Sequence, residues 1–166
     1  MIIRGIGLVL LSFIVQTTIA EDLALFGVRP DLIFIILVFM SLAYGSTTGM
    51  IFGFSAGLLQ DFYEPASNLG LNALCKSLVC FGIGLGKDGL QKEVFLIMLS
   101  VLATGMLVHE TLYFLIYVRF DVPVFFEMIW RRSLPTLLYT CILGAVLAGA
   151  LKYDRGSFDG KRLFPE

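Results

Sequence analysis

The side chains of this chain that could do chemistry are the few ionisable groups inside long apolar stretches. Lys76 lies within Gly70–Leu85, and His109 and Glu110 lie within Val94–Val118. An ionised group is costly in apolar surroundings, so such residues usually pair with an opposite charge, bind a ligand or transfer a proton. We therefore predict an intramembrane polar cluster of Lys76, His109 and Glu110, in which Lys76 and Glu110 form an ion pair.

The depth of these groups supports the pair if the two stretches cross a membrane in opposite directions. Lys76 and Glu110 then lie about 9–12 Å below the same boundary, and Asp61 lies nearer the surface. An alternative is that the pair only sets the register of two helices, since buried ion pairs often specify an arrangement rather than a function.

Catalytic and metal motifs are incomplete. The H-E-x-x-H zinc pattern that begins at His109 has Tyr113 in place of its second histidine. Gly84–Gly89 satisfies G-x-G-x-x-G, but it follows an apolar stretch instead of a strand. Lys87 lacks the flanking residues of a P-loop. We predict neither an enzyme nor a metal or cofactor site.

Composition places the chain in a membrane. Hydrophobic residues make up 58% of the chain and charged residues 15%, whereas soluble domains have roughly 45–50% apolar residues. The net charge of −1 gives no reason to expect nucleic-acid binding. Cys75, Cys80 and Cys141 are odd in number and lack C-x-x-C spacing, so we interpret them as packing residues.

A bilayer core of about 30 Å needs roughly 20 helical residues. We predict an all-α polytopic protein with six transmembrane helices in one domain, residues 1–151, and a polar cytoplasmic tail, residues 152–166. The spans are Ile6–Phe26, two short glycine-rich helices within Leu32–Leu59, Gly70–Leu85, Val94–Val118 and Ser133–Leu151, with Phe120–Trp130 at the interface. The first 20 residues also fit a cleaved signal peptide, but we favour an uncleaved span.

Leu32–Leu59 decides the number of spans. As one helix it is about 42 Å long, so we favour two short helices that meet at Gly45-Ser46-Thr47, with Ser46 or Thr47 as N-cap. Positive charge supports six spans over five, because basic residues prefer the cytoplasmic side. Six spans place seven basic residues inside (Arg4, Lys87, Lys92, Lys152, Arg155, Lys161, Arg162) and four outside (Arg29, Arg119, Arg131, Arg132).

Two series of small residues predict close helix packing. Gly45, Gly49, Gly53, Gly57 and Asp61 recur every four residues and form one helical stripe. A stripe of this kind is typical of a seam where two membrane helices meet backbone to backbone. The last span carries a second seam, formed by Gly144, Ala145, Ala148 and Gly149.

Val28-Arg29-Pro30-Asp31-Leu32 is followed by Gly49-x-x-x-Gly53-Phe54-x-x-Gly57-Leu58-Leu59-Gln60-Asp61 and Leu69-Gly70-Leu71-Asn72-Ala73-Leu74. This series resembles the MreD family of rod shape-determining membrane proteins. The resemblance covers about Val28 to Lys87, and its motif residues are Pro30, Asp31, Gly49, Gly53, Gly57, Asp61 and Gly70.

The resemblance implies a non-enzymatic component of the bacterial elongation machinery in the inner membrane, with both termini cytoplasmic. It implies as partners an MreC-like single-span protein, an MreB-like filament and the peptidoglycan synthases of lateral growth. It also implies a fold similar to the substrate-binding subunits of energy-coupling-factor transporters. We predict that the second seam, formed by Gly144, Ala145, Ala148 and Gly149, faces a partner helix.

The alternative interpretation is a substrate-binding membrane subunit of a vitamin-type transporter. It predicts an outward cavity lined by Lys76, Glu110 and loop residues near Asp61.

Overall fold

The computed structural model describes residues 2–19, 30–63, 65–87, 89 and 95–150. The helices in these ranges are α1 Ile2–Ile19, α2 Leu32–Tyr44, α3 Ser46–Asp61, α4 Leu71–Leu85, α5 Phe95–Tyr117, α6 Val122–Met128 and α7 Leu134–Ala150. A 3-10 turn precedes α4, and a π turn joins α6 to α7. The described residues contain no strand, so the all-α prediction is confirmed for them. The tail predicted at residues 152–166 lies outside them.

Membrane-spanning capacity is clearest in two places. Ala66–Leu85, which is α4 with the turn before it, and Phe95–Tyr117, which is α5, are each long and apolar enough to cross a bilayer. Gly5–Thr18 and Leu32–Tyr44 are apolar but shorter. The count of six spans remains a prediction.

The predicted break within Leu32–Leu59 is confirmed. Helix α2 ends at Tyr44, α3 begins at Ser46, and Gly45 between them has a φ of +92°. A side chain is disfavoured at this φ, which explains the glycine. The predicted N-cap was wrong, because Gly45 itself occupies that position without a side-chain hydrogen bond.

Helix α2 is the central element of the fold. Its sequence is apolar all round, a pattern that is typical of a helix with neighbours on every side. Its side chains contribute to two buried clusters. One also contains residues of α1, α3 and α4, and the other contains residues of α4 and α5, with partly buried side chains of α7 packed against it. Helix α1 is tied to it by the backbone N–H of Ile33, which donates to Oε1 of Gln16 at 3.2 Å.

Helices α3 and α4 touch along the glycine stripe. A Cβ placed on Gly57 would lie 2.5 Å from Cα of Ala73, and one on Gly53 would lie 2.8 Å from the carbonyl oxygen of Lys76. Real Cβ atoms essentially never come so close, so only glycine permits this approach. The stripe is therefore an internal packing seam, as predicted for its glycines.

The segment predicted as interfacial does not stand apart from the last helix. Helix α6 continues through the π turn Ile129–Ser133 directly into α7. Pro135 has no N–H to bond to the carbonyl of Arg131, and a wide turn accommodates its ring at this point. The π turn also places Ser133 inside the protein, with an exposed fraction of 5%.

Candidate functional site

A buried ion pair joins Asp31 to Lys76. Asp31 is the N-cap of α2, where its Oδ1 accepts the backbone N–H of Phe34 at 2.9 Å. Its other oxygen, Oδ2, accepts a hydrogen bond from Nζ of Lys76, which lies on α4. The side chains of Lys76 and Asp31 are 1% and 14% exposed. The negative charge of Asp31, a motif residue at the start of α2, thus compensates the positive charge of Lys76 within α4.

The predicted pairing of Lys76 with Glu110 was wrong. Oε2 of Glu110 instead accepts the hydroxyl of Ser133 at 3.1 Å, and Oε1 lies 3.6 Å from Nδ1 of His109. Equal depth in two helices does not fix which way their side chains point, and Lys76 reaches Asp31, which lies outside both stretches.

His109 is enclosed beside this pair. Its ring centroid lies 5.5 Å from that of Phe34 and 6.2 Å from that of Tyr113. The residue is 4% exposed, and neither ring nitrogen has a hydrogen-bond partner among the described residues.

Two hydroxyl groups on the last helix were missed by sequence reasoning. The backbone N–H of Asp31 donates to Oγ1 of Thr140 at 3.1 Å, and Ser133 bonds to Glu110 as described. Both are buried. Their spacing of seven residues places them on one helical face, which is a signal that the sequence did contain.

We call this set the polar centre: Asp31, Lys76, His109, Glu110, Ser133 and Thr140. It links α2, α4, α5 and the last helical segment through ionic and hydroxyl contacts. Among the described residues no group of three or more His, Cys, Asp or Glu side chains could hold a metal ion. The contacts suit a cross-link between helices.

Asp61, which was expected nearer the surface than Lys76 and Glu110, is buried where α4 begins. It is 0% exposed, and its carboxylate accepts the backbone N–H groups of Gly70, Asn72 and Ala73, each at 3.0 Å. These donors belong to the first turn of α4, which has no capping side chain of its own. A carboxylate also complements the positive end of the helix dipole.

This contact explains why the glycine stripe ends in an acid and is followed by Gly70. Asp61 continues the stripe of α3 and therefore faces α4, but at the point where α4 begins. Gly70 adopts a φ of +90°, which turns the chain so that its N–H points at the carboxylate. The two separate motifs thus form one helix–helix junction.

We expect Asp61→Ala to lower the free energy of unfolding by about 2 kcal/mol, because one buried and two partly buried N–H groups lose their acceptor. Denaturant titration of the purified protein in mixed micelles measures this loss. Asp61→Asn, which keeps one oxygen acceptor, should lie between Asp61→Ala and the unchanged protein.

Asp121→Ala is the matched control for the Asp61 variants. Asp121 also caps a helix, accepting the N–H of Val124 at 3.4 Å, but it does so in an exposed position. Its removal should cost no more than about 1 kcal/mol. An equal loss in both alanine variants would contradict a special role for the buried cap.

The cavity predicted by the transporter interpretation is not formed by the residues proposed for it. Lys76 is 0% exposed and is hydrogen bonded to Asp31, so it does not line a water-filled opening and its place in this prediction was wrong. Loop residues that follow Asp61, among them Ser67 and Asn68, do line a cavity, but its other wall is formed by Tyr117 and Arg119.

The predicted partner seam on α7 is divided between the interior and the surface. Gly144 is buried, and a Cβ on it would lie 2.5 Å from Cδ2 of Leu102. It therefore belongs to the contact with α5, and its assignment to a partner surface was wrong. Ala145 is half-buried, and Gly149 is exposed with nothing within 4 Å of a Cβ. The side chain of Ala148 lies outside the described set.

Comparison with known protein families confirms the resemblance that the motif residues indicated. The sequence model of one family, rod shape-determining protein MreD, matches residues 2–151. No curated protein and no solved structure matches the chain significantly. The similarity to transporter subunits therefore remains a prediction.

Proposed function

Because the match over residues 2–151 shows that this chain belongs to the family of rod shape-determining protein MreD, we propose that it is a non-enzymatic membrane scaffold. It acts in the bacterial inner membrane with both termini cytoplasmic. It holds together an MreC-like single-span protein, an MreB-like filament and lateral peptidoglycan synthases, and so maintains rod shape. The family match is the observation that carries this proposal.

The internal contacts support a scaffold more than a transporter or an enzyme. The buried charges of Lys76 and Asp61 are both used in contacts between helices. The seam between α3 and α4 leaves no room for a side chain at Gly57. A protein that presents a fixed surface to partners benefits from such a rigid interior, because less conformational entropy is lost on binding.

The exposed side of α7 is the surface that we assign to a partner helix. Leu138, Ile142 and Val146 are each more than 60% exposed and follow one another at four-residue spacing, and Gly149 continues this face. Without hydrophobic exclusion, membrane helices associate by close packing at small residues, and Gly149 offers such a point.

Gly149→Leu should reduce co-purification of the MreC-like protein several-fold, since a large side chain holds the partner backbone away. Crosslinking in cells followed by purification of the tagged chain measures this. Gly82→Leu is the matched control, because Gly82 is also exposed and has nothing within 4 Å of a Cβ, but it lies on α4.

The two leucine variants separate the possible partner faces. Reduced co-purification with Gly149→Leu alone supports the assignment of the partner to the exposed side of α7. Gly82 lines an apolar groove between α4 and α5, together with residues such as Leu78 and Val101. Reduced co-purification with Gly82→Leu alone would assign the partner to this groove, and unchanged co-purification in both variants would reject the α7 assignment.

A further inference from the structure

The turn that follows α5 has an unusual backbone conformation. Arg119 and Phe120 adopt φ values of +53° and +64°. The left-handed region is sterically disfavoured for residues with a Cβ, and glycine usually occupies such positions at helix ends. The turn is nevertheless well bonded, with the N–H of Phe120 donating to the carbonyl of Leu115 at 3.1 Å.

Arg119 lines a cavity of about 500 Å³ between this turn and the loop that precedes α4. Ser67, Asn68, Leu69 and Tyr117 form much of the remaining wall. The Ser67 hydroxyl donates to Oδ1 of Asn68 at 3.3 Å, so the donor that Asn68 offers to a ligand is its NH₂ group.

Among the described residues that line the cavity, Arg119 is the only charged one, and its charge is positive. Arg119 is exposed and forms no ion pair with the described part of the chain. Asp121, the acidic residue two positions further, accepts the N–H of Val124 as the cap of α6. A guanidinium beside neutral N–H and O–H donors suits a phosphate group, which guanidinium binds through two parallel hydrogen bonds.

The rim of the cavity is apolar. Leu69 and Tyr117, which line the cavity, are 56% and 42% exposed, and Phe120, which follows Arg119 in the chain, is 68% exposed. Arg119 lies just beyond Tyr117, the last residue of a helix long enough to cross a bilayer. This is the depth of the headgroup layer, where aromatic side chains are enriched.

We propose that this cavity binds the phosphate of a phospholipid headgroup. Arg119 and Asn68 hold the phosphate, and the apolar rim contacts the first part of the acyl chains. The inference is independent of the scaffold role, since it depends only on the charge, walls and depth of this cavity.

Native mass spectrometry of the full-length, delipidated protein titrated with phosphatidylglycerol tests the proposal. Arg119→Gln should weaken the apparent affinity for the first lipid about fivefold, because an arginine near the surface contributes about that factor. Arg119→Lys should weaken the affinity less than Arg119→Gln does, because the ammonium keeps the charge but not the two parallel hydrogen bonds. Arg119→Gly should weaken the affinity at least as much as Arg119→Gln, although glycine removes the steric penalty of the turn, so the effect cannot be attributed to misfolding.

Arg132→Gln removes an equal charge from an exposed position that does not line the cavity. It should change the affinity by less than about twofold. Equal weakening by Arg119→Gln and Arg132→Gln, or no effect of either, would overturn the proposal. Displacement of the lipid by an equal concentration of inorganic phosphate would also overturn it, since the ligand would then be free phosphate.

Discussion

Lys76→Met should lower the free energy of unfolding by about 3–5 kcal/mol, because it leaves the buried carboxylate of Asp31 without its counter-charge. Methionine preserves most of the volume of lysine, so packing in α4 changes little. Asp31→Asn should have a comparable effect by leaving the ammonium unpaired, while its amide oxygen can still cap α2 at Phe34. Denaturant titration in mixed micelles measures both.

The double variant Asp31→Asn/Lys76→Met is the decisive comparison. If the two charges compensate each other, the double variant should be much more stable than the sum of the single losses predicts. Additive losses would show that the residues are not coupled.

The same double variant separates structure from function. If it folds and restores rod shape to cells that lack the unchanged protein, the pair serves only the architecture. If it folds but leaves the cells round, the charges of the polar centre take part in the activity.

We expect Gly57→Ala to cost at least about 3 kcal/mol, the upper end of the usual range for overpacking. The added methyl group would meet the backbone at Ala73 and Asn72, at 2.5 Å and 2.6 Å. Backbone atoms within a helix cannot rotate away as a side chain can, so α3 and α4 must separate. The yield and thermal unfolding of the purified protein measure the effect.

Gly82→Ala is the control for this variant. It makes the same chemical change in a helix, but its Cβ would meet nothing within 4 Å. The greater helix propensity of alanine should leave the stability of this variant unchanged or slightly raised. A loss at Gly82 equal to that at Gly57 would show that the close approach is not the cause.

The features that could be predicted from sequence are those that a single helix determines. The glycine stripe repeats with the period of a helix, and a continuous helix through Gly45 would have been too long for a bilayer. Both arguments need only the geometry of one element, and both agree with the structure.

The features that were predicted wrongly depend on which helices are neighbours. The predicted pair of Lys76 and Glu110 depended on the depth of each residue along its helix, which follows from residue numbers. The rotation of each helix about its axis, which decides the neighbour that a side chain faces, does not follow from residue numbers. Asp31 is one of the motif residues, but its position in the motif does not indicate a partner for it. The length of a lysine side chain, which lets it reach a residue at the end of another helix, was the missing consideration.

The role of Asp61 was hidden for a similar reason. Its three donors lie nine to twelve positions further along the chain, beyond a loop. The lack of a capping side chain at the start of α4 was the available signal, because an uncapped helix end inside a protein requires an acceptor from elsewhere.

The junction of α3 and α4 also bears on the order in which the chain assembles during synthesis. The contacts between α3 and α4 are made by the backbones of these two helices and by Asp61. All of these residues are translated before α5, so the hairpin can form without the later part of the chain. The polar centre also uses Ser133 and Thr140, which are translated after its other members. We therefore expect the nascent chain to form the hairpin first and to neutralise Lys76 against Asp31 next, with α7 packing over them once it has been translated.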